Sequence, residues 1–170
     1  MYNALVKPIL FFVAATAAFA ADIRVGIIGT DTSHVPAFTK MMNGDPAAPD
    51  HVAGVRVVAA FKGGSKDIPD SFNRVDRFAE EIRTQYGVEI VPDVAALLSK
   101  VDAVLIESVD ARPHLGYAKQ VIAAKKPFFV DKPLASTLED AREIARLAKA
   151  AGVPWFSASS LRWSPTAPRF

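Results

Sequence analysis

The run FFVDKPLA at residues 128–135 contains the side chains of this sequence that are best suited to take part in a chemical reaction. An apolar strand pattern there delivers an acid, Asp131, and a lysine, Lys132, at its carboxyl end. An ammonium beside a developing alkoxide stabilises its negative charge, so a lysine at this position could assist proton transfer. From the residues alone, a Lys-Pro pair after a strand is a surface turn in most cases.

A second candidate site is the turn after the first apolar strand, Gly29-Thr30-Asp31-Thr32-Ser33-His34. A glycine turn that opens a helix places backbone N–H groups and the positive helix end where a pyrophosphate can bind. Only the first glycine of the dinucleotide pattern G-x-G-x-x-G is kept, because Asp31 and His34 replace the other two. Asp31 would meet a phosphate unfavourably, whereas the three hydroxyl side chains of the turn could donate to it. Thr32 or Ser33 could equally cap the helix.

The end of the second strand reads Phe61-Lys62-Gly63-Gly64-Ser65. A dinucleotide-binding fold usually has an acid here that holds the ribose hydroxyls, and this sequence has none. Lys62 could instead favour a 2′-phosphate, which predicts a slight preference for NADP over NAD. The alternative is that Lys62 is an ordinary loop residue.

Short apolar runs alternate with amphipathic stretches along the chain, which predicts a doubly wound, mainly parallel sheet with helices on both faces. The predicted strands are 24–28, 55–61, 87–91, 102–106, 128–130 and 153–158, and the predicted helices are 34–42, 72–86, 93–98, 113–124 and 137–151. The strand 102–106 has few polar interruptions, which indicates a central position. The stripe that predicts the second helix consists of Phe72, Val75, Phe78, Ile82 and Tyr86.

The first twenty residues differ in composition from the rest. A single positive charge, Lys7, precedes an apolar run over 9–19, and the A-x-A pattern ends at Ala20. This predicts a secretory signal peptide cleaved after Ala20, an exported protein and one domain over 21–170. An uncleaved membrane anchor is the alternative.

The composition of the chain argues against some kinds of binding partner and some kinds of metal site. The 20 Lys and Arg residues against 18 Asp and Glu residues give a net charge of +2, which argues against nucleic-acid binding. The absence of cysteine excludes disulfides and thiolate metal sites. The spacing of His34, His51 and His114 does not favour a metal site built from these residues alone, and we expect no membrane association after signal cleavage.

The run 128–135 resembles the E-K-P-L-A signature of the glucose-fructose oxidoreductase, inositol dehydrogenase and rhizopine-catabolism (Gfo/Idh/MocA) family, with Asp131 in place of Glu. Segments 25–29, 101–106 and 161–165 follow the order of the family's other motifs, so the resemblance covers roughly residues 23–166. It implies a Rossmann-like fold and makes Lys132 the active-site lysine near the nicotinamide.

The loop 107–114 resembles the family's T-P-N-x-x-H loop beside the cofactor, which places Ser108, Asp110 and His114 there. A buried His114 with a satisfied ring, at the start of a helix, is the alternative. Arg162 matches an arginine that follows the last strand of the family's nucleotide domain.

Two functions remain open. The first is the NAD(P)-binding domain of an oxidoreductase that acts by hydride transfer on a sugar or polyol derivative. The family's substrate domain has no counterpart here, so we expect the isolated chain to be inactive and its uncovered face to favour self-association. The second is a non-catalytic exported binding module on a degenerate Rossmann scaffold, which Asp31 and the missing ribose-binding acid favour.

Overall fold

The computed structural model of the chain describes residues 21–164. Six strands form one sheet in the order β3-β2-β1-β4-β5-β6, and every pairing between neighbours is parallel. The elements in chain order are β1 (Ile23–Ile28), α1 (His34–Asn43), β2 (Val55–Phe61), α2 (Pro69–Phe72), α3 (Val75–Tyr86), β3 (Glu89–Val91), α4 (Val94–Leu98), β4 (Ala103–Ile106), α5 (His114–Ala123), β5 (Phe128–Asp131), α6 (Leu138–Ala151), β6 (Trp155–Ala158) and a 3-10 turn (Ser160–Trp163).

The predicted fold class is confirmed. Each predicted strand is present within a few residues of its expected bounds, and β4 lies in the middle of the sheet between β1 and β5. This strand order is that of the dinucleotide-binding fold, in which the chain changes direction of winding between β1 and β4. The ligand site of such a sheet lies at this switch point, beyond the carboxyl ends of the strands.

Helices cover the two faces through separate apolar clusters. On one face α1 and α3 pack onto β1 and β2 through Val35 and Ile82, which are fully buried. On the other face α4, α5 and α6 contribute Leu97, Val121 and Ile144 to the larger cluster. The sheet is therefore covered on both sides near β1, as its apolar central strands require.

Local signals in the sequence account for several helix ends. The Asp93 side chain accepts a hydrogen bond from Ala96 N at 2.7 Å, and the Thr137 hydroxyl accepts one from Asp140 N at 3.0 Å. Both are N-caps, positions for which Asp and Thr are preferred because their side-chain oxygens accept from the first N–H groups of the helix. At the carboxyl ends of α3 and α6, Gly87 and Gly152 adopt left-handed backbone conformations that stop each helix.

Two details of the predicted helices are wrong. Phe72 does not belong to the apolar stripe of α3: it ends the separate helix α2, and its side chain is 61% exposed. The helix is interrupted at residues 73 and 74 and α3 begins at Val75, so Phe72 lies outside the helix that carries Phe78. The helical spacing of Leu138 with Ile144 predicts that both lie on the apolar face of α6, but Leu138 occupies the first turn and is exposed.

The face of β4, β5 and β6 on the α1 side is only partly covered. Leu105, Phe129 and Phe156 are neighbours in the sheet register and share this face. The Phe156 ring contacts the Phe129 ring at an angle of 47°, with centroids 4.9 Å apart, yet Phe156 is 64% exposed. A shallow apolar cavity of about 270 Å³ lies along these residues. Such a surface is typical of an association site.

We expect Phe156→Ser to weaken self-association of the chain by at least about tenfold, because burying a phenylalanine side chain contributes roughly 1.5–3 kcal/mol. Sedimentation velocity over a concentration series measures this. Leu138→Ser is the matched control, because Leu138 is also exposed but lies on α6, away from this face. Equal effects of the two substitutions would contradict a specific role for the β4–β6 face.

No helix among residues 21–164 is long and apolar enough to cross a membrane. The predicted signal peptide over 1–20 lies outside the described residues, so its cleavage after Ala20 and the export of the protein stay predictions.

Candidate functional site

The turn after β1 lies against the loop that follows β4. Gly29 has φ of +90°, and a Cβ atom there would lie 2.5 Å from the Ser108 backbone nitrogen. Its N–H donates to the carbonyl of Phe61 at 2.9 Å. Only glycine fits this conformation and this contact. The turn is therefore held at the switch point, between the ends of β2 and β4.

The next two residues of the turn are fully buried and face the protein. The Thr30 hydroxyl donates to the carbonyl of Val75 at 2.9 Å. Asp31 accepts hydrogen bonds from the Ser71 hydroxyl at 2.5 Å and from Val109 N at 3.0 Å. Both carboxylate oxygens thus have protein donors, and Asp31 joins the turn to α2 and to the loop after β4. The Thr30 hydroxyl is likewise committed to a backbone partner.

At the start of α1, two backbone N–H groups already have partners inside the turn. His34 N bonds to the Thr32 hydroxyl at 3.4 Å, and Val35 N bonds to the Thr32 carbonyl at 3.2 Å. Pro36 follows and has no N–H. Ser33, at the N-cap position, is exposed and makes no side-chain cap, so its hydroxyl is the one in the turn that can reach a ligand directly.

At the end of β2, Lys62 is paired rather than free. Its Nζ lies 2.8 Å from the Asp76 carboxylate in the first turn of α3, and both side chains are largely exposed. Exposed pairs of this kind are weak and can open. The glycines that follow Lys62 adopt left-handed conformations and line a cavity of about 200 Å³ with Ser65 and Asp76.

Asp110 ties two loops of the carboxyl edge together. It accepts hydrogen bonds from the Ser65 hydroxyl, from Arg112 N at 2.9 Å and from Arg112 Nε at 2.9 Å. The same guanidinium pairs with Asp67 at 2.8 Å. The Arg112 hydrogen bonds are the main reason that the pKa of Asp110 falls to about 2, and the Ser65 bond adds to this effect. Asp110 is thus an ionised acid at the contact between the β2 and β4 loops.

His114 has its ring nitrogens satisfied inside the protein, as the helix-start alternative expects. The side chain is fully buried. With the proton on Nδ1, it donates to the carbonyl of Leu134 at 3.2 Å and Nε2 accepts from the Ser108 hydroxyl at 2.9 Å. His114 therefore connects the loop after β4 to the Lys132-Pro133-Leu134 segment and positions both.

Lys132 lies at the carboxyl end of β5, where the sequence places it. It is exposed and lines a cavity of about 250 Å³ with His34, Asp131 and residues that follow β6. His34 Nδ1 and the Asp131 carboxylate are 2.6 Å apart. The structure thus brings together the last residue of the glycine turn and the acid and lysine of the FFVDKPLA run. The side chain of Arg162 lies outside the described residues, although its backbone belongs to the 3-10 turn.

Glu107 is the site residue that the sequence reasoning missed. Its side chain is fully buried, and within residues 21–164 neither carboxylate oxygen has a hydrogen-bond partner. Burial raises the pKa of Glu107 to about 8; the Asp131 carboxylate adds to the rise and the Lys132 ammonium opposes it. A signal was available, because Glu107 and Asp131 each directly follow the apolar part of neighbouring parallel strands in register.

Comparison with known proteins agrees with this geometry. Residues 23–159 match the Gfo/Idh/MocA oxidoreductase family, described as having an NAD-binding Rossmann fold. The chain belongs to this family. An inositol 2-dehydrogenase from Paracoccus denitrificans is 34% identical over 134 residues, which cover 76% of this chain and 34% of that protein.

Solved structures show the same fold. An oxidoreductase from Agrobacterium radiobacter, in complex with NAD+, L-tartaric acid and magnesium, superimposes with a TM-score of 0.64 at 21% identity, covering 84% of this chain and 37% of that chain. A mutant 3-ketoreductase from Actinomadura kijaniata, in complex with TDP-benzene and NADP, superimposes with a TM-score of 0.62 at 22% identity. The match covers 85% of this chain and 40% of that chain. The Gfo/Idh/MocA chain described here spans about one third of the length of its curated relative.

Proposed function

We propose that the chain is the NAD(P)-binding domain of an oxidoreductase that acts by hydride transfer on a sugar or polyol derivative, with Lys132 as its active-site lysine. The observation that carries this proposal is the position of Lys132. It lies at the carboxyl end of β5 and lines one cavity with His34, the last residue of the Gly29 turn. A cofactor at the switch point and a substrate beside Lys132 would therefore meet at this edge of the sheet.

Gly29 supports dinucleotide binding at this edge, because it lets the turn approach the Ser108 backbone so closely that a Cβ atom would lie 2.5 Å from the Ser108 nitrogen. The nicotinamide, when bound, supplies or accepts the hydride. The chain's own contribution is electrostatic. The Lys132 ammonium stabilises the oxygen of the reacting hydroxyl as it loses its proton, and the His34–Asp131 pair lines the same cavity.

The substrate class rests on two supports. The relative from Paracoccus denitrificans is named for inositol, a cyclic polyol. The cavity beside Lys132 combines charged and hydroxyl side chains with Phe38 and Phe129, a mixture that suits a sugar ring with its polar edges and apolar faces. We propose a polyol or sugar of about one ring.

The test of the proposal is titration of the purified chain with NADH and with NADPH, followed by nucleotide fluorescence and by calorimetry. We expect saturable binding of at least one nucleotide with one site per chain. Gly29→Val should abolish it, because the added side chain would collide with the Ser108 backbone. Gly54→Val is the matched control, since Gly54 also has positive φ but lies at the other end of the sheet with open space around it.

We further propose that NADP is preferred over NAD. Lys62→Glu should weaken NADPH binding by about tenfold or more, because a charge-assisted contact to the 2′-phosphate is replaced by repulsion. Asp76→Asn should strengthen NADPH binding, because it frees the Lys62 ammonium from its present partner. NADH titrations of both variants are the control and should change little. NADPH affinity that is unaffected in both variants would contradict the preference.

A second function, a non-catalytic exported binding module, is favoured by the state of the glycine turn. Asp31 and Thr30 are committed to internal partners, and Pro36 removes one of the first N–H groups of α1. Failure of both nucleotides to bind the folded chain would support this second function against the first. Export itself is a part of this proposal that the apolar segment 9–19 and the A-x-A pattern support, and the mass of the secreted protein tests cleavage after Ala20.

A further inference from the structure

Three side chains from three separate elements meet beside the Lys132 cavity. His34 begins α1, Glu107 follows β4 and Asp131 ends β5. Each offers one ligand atom, and these three atoms all lie within 4.8 Å of one another. One imidazole nitrogen and two carboxylate oxygens are donors that first-row divalent metals accept.

The state of the Glu107 side chain is an independent observation that points to a bound ligand. Its side chain has no exposure to solvent, and in the part of the chain that the structure describes both of its oxygens lack a hydrogen-bond partner. Buried carboxylates without partners are rare, because burying an unpaired polar group is costly. Asp131 is also buried but bonds to His34, so the unpartnered acid lies next to a pair that is already joined.

We propose that His34, Glu107 and Asp131 together bind one divalent transition-metal ion of the zinc class. The ion would supply the missing partner of Glu107 and take the place of the proton between His34 and Asp131. Its two positive charges balance the two carboxylates. The proposal does not depend on dinucleotide binding.

The spacing of the ligands is compatible with such an ion after small side-chain rotations. A tetrahedral ion about 2.1 Å from each ligand atom places these atoms about 3.4 Å apart. His34 and Asp131 are now 2.6 Å apart and would separate slightly, whereas Glu107 would move inwards. No hydrogen bond of Glu107 within the described residues has to break for this movement.

The fourth coordination position would face the cavity. His34 and Asp131 line that cavity, and Glu107 lies behind them out of solvent. Water or an oxygen of a small molecule could reach the ion from this side, next to Lys132. Three protein ligands with one open position is the arrangement of catalytic rather than structural zinc. The Lys132 ammonium repels the ion, so Lys132→Met should tighten metal binding.

The experiment is equilibrium dialysis of the chelator-treated chain against Zn²⁺, with metal content measured by mass spectrometry and affinity by calorimetry. We expect one Zn²⁺ per chain and at least about tenfold weaker binding in Glu107→Gln and in Asp131→Asn. Glu139→Gln, which changes an exposed glutamate in the first turn of α6, is the matched control and should bind like the wild type. Mg²⁺ and Ca²⁺ should bind more weakly than Zn²⁺, because only three protein donors are offered and one is nitrogen.

The proposal would be overturned if the wild type bound less than one Zn²⁺ per chain, or if Glu107→Gln bound Zn²⁺ as tightly as the wild type. Tighter binding of Mg²⁺ or Ca²⁺ than of Zn²⁺ would also overturn it. Circular dichroism establishes that each variant is folded. If a carboxylate variant does not fold, the visible absorption spectrum of Co²⁺ bound to the wild-type chain tests the proposal instead. An intense visible absorption, typical of a four- or five-coordinate Co²⁺ ion, would support the site if the His34→Gln substitution alters that absorption. The weak absorption of a hydrated octahedral Co²⁺ ion would contradict the site.

Discussion

Replacing Glu107 with glutamine is expected to remove most of the pH dependence of stability of the metal-free chain between about pH 5 and pH 8. Wild-type stability should fall by roughly 3 kcal/mol over this interval, since each unit of pKa shift corresponds to about 1.4 kcal/mol. The variant should be the more stable protein at pH 8. Urea unfolding in the presence of a chelator, at half-unit pH steps, measures both effects.

The direction follows from the raised pKa of Glu107. An exposed glutamate in the unfolded chain loses its proton near pH 4.5, whereas burial keeps this proton on the folded chain up to about pH 8. Between these values the folded state binds more protons than the unfolded state. Stability therefore decreases as the pH rises through the interval and is unaffected by Glu107 below it.

Other titrating groups face Glu107 and require controls. Asp131 raises the pKa of Glu107 and Lys132 lowers it, while His34 pairs with Asp131. The same pH series in His34→Gln separates the contribution of the histidine. Glu139→Gln, an exposed carboxylate variant, should retain the wild-type slope. If the slope is equally steep in Glu107→Gln, the buried carboxylate is not its cause.

Much of the fold could be predicted from the sequence because the signals are local. Apolar runs of strand length alternate with amphipathic stretches, and only a parallel sheet covered on both faces satisfies both patterns. Asp93, Thr137 and Gly152 mark helix ends through bonds to residues three or four positions away. The wrong prediction for Phe72 also comes from a local signal. Its spacing fits the apolar stripe of α3, although the helix is interrupted between α2 and α3.

The candidate site could be predicted less completely, because its decisive contacts join residues far apart in sequence. Asp31 was expected to oppose a phosphate, and the donors that occupy it, Ser71 and Val109, are 40 and 78 residues away. Glu107 shows the same limit: its importance comes from its burial and from Asp131 on the neighbouring strand. Lys132 could be proposed from the sequence because a strand, an acid and a lysine are contiguous in a run that resembles a family motif, and its role stays a prediction.

These long-range contacts make the carboxyl edge a rigid platform. His114 links the loop after β4 to the Lys132 segment, and Asp110 with Arg112 links it to the loop after β2. The His114 bonds are buried or partly buried, whereas the Arg112–Asp67 pair is exposed; together they connect the ends of β2, β4 and β5. Such preorganisation is what a reaction between two bound molecules requires from a scaffold.

The purified chain is nevertheless expected to turn over no sugar or polyol at a measurable rate, even where it binds a nucleotide. Hydride transfer requires the substrate carbon to be held against the nicotinamide, and positioning of this kind accounts for about 7–11 kcal/mol of a barrier. Lys132 is exposed here, and the β4–β6 face is only partly covered, with Phe156 exposed. Electrostatic contacts at such an open edge are weakened by water.

Steady-state assays over a panel of polyols and aldoses, with NAD and with NADP, test this expectation beside Lys132→Ala and Lys119→Ala. Lys119 is an exposed lysine of α5 and serves as the matched control. Turnover in the wild type that persists in Lys119→Ala and disappears in Lys132→Ala would show that the open edge suffices for catalysis and that the lysine is catalytic. Turnover that survives in Lys132→Ala would contradict both the expected inactivity and the proposed role of Lys132, because the reaction would then need neither the closed cleft nor the ammonium.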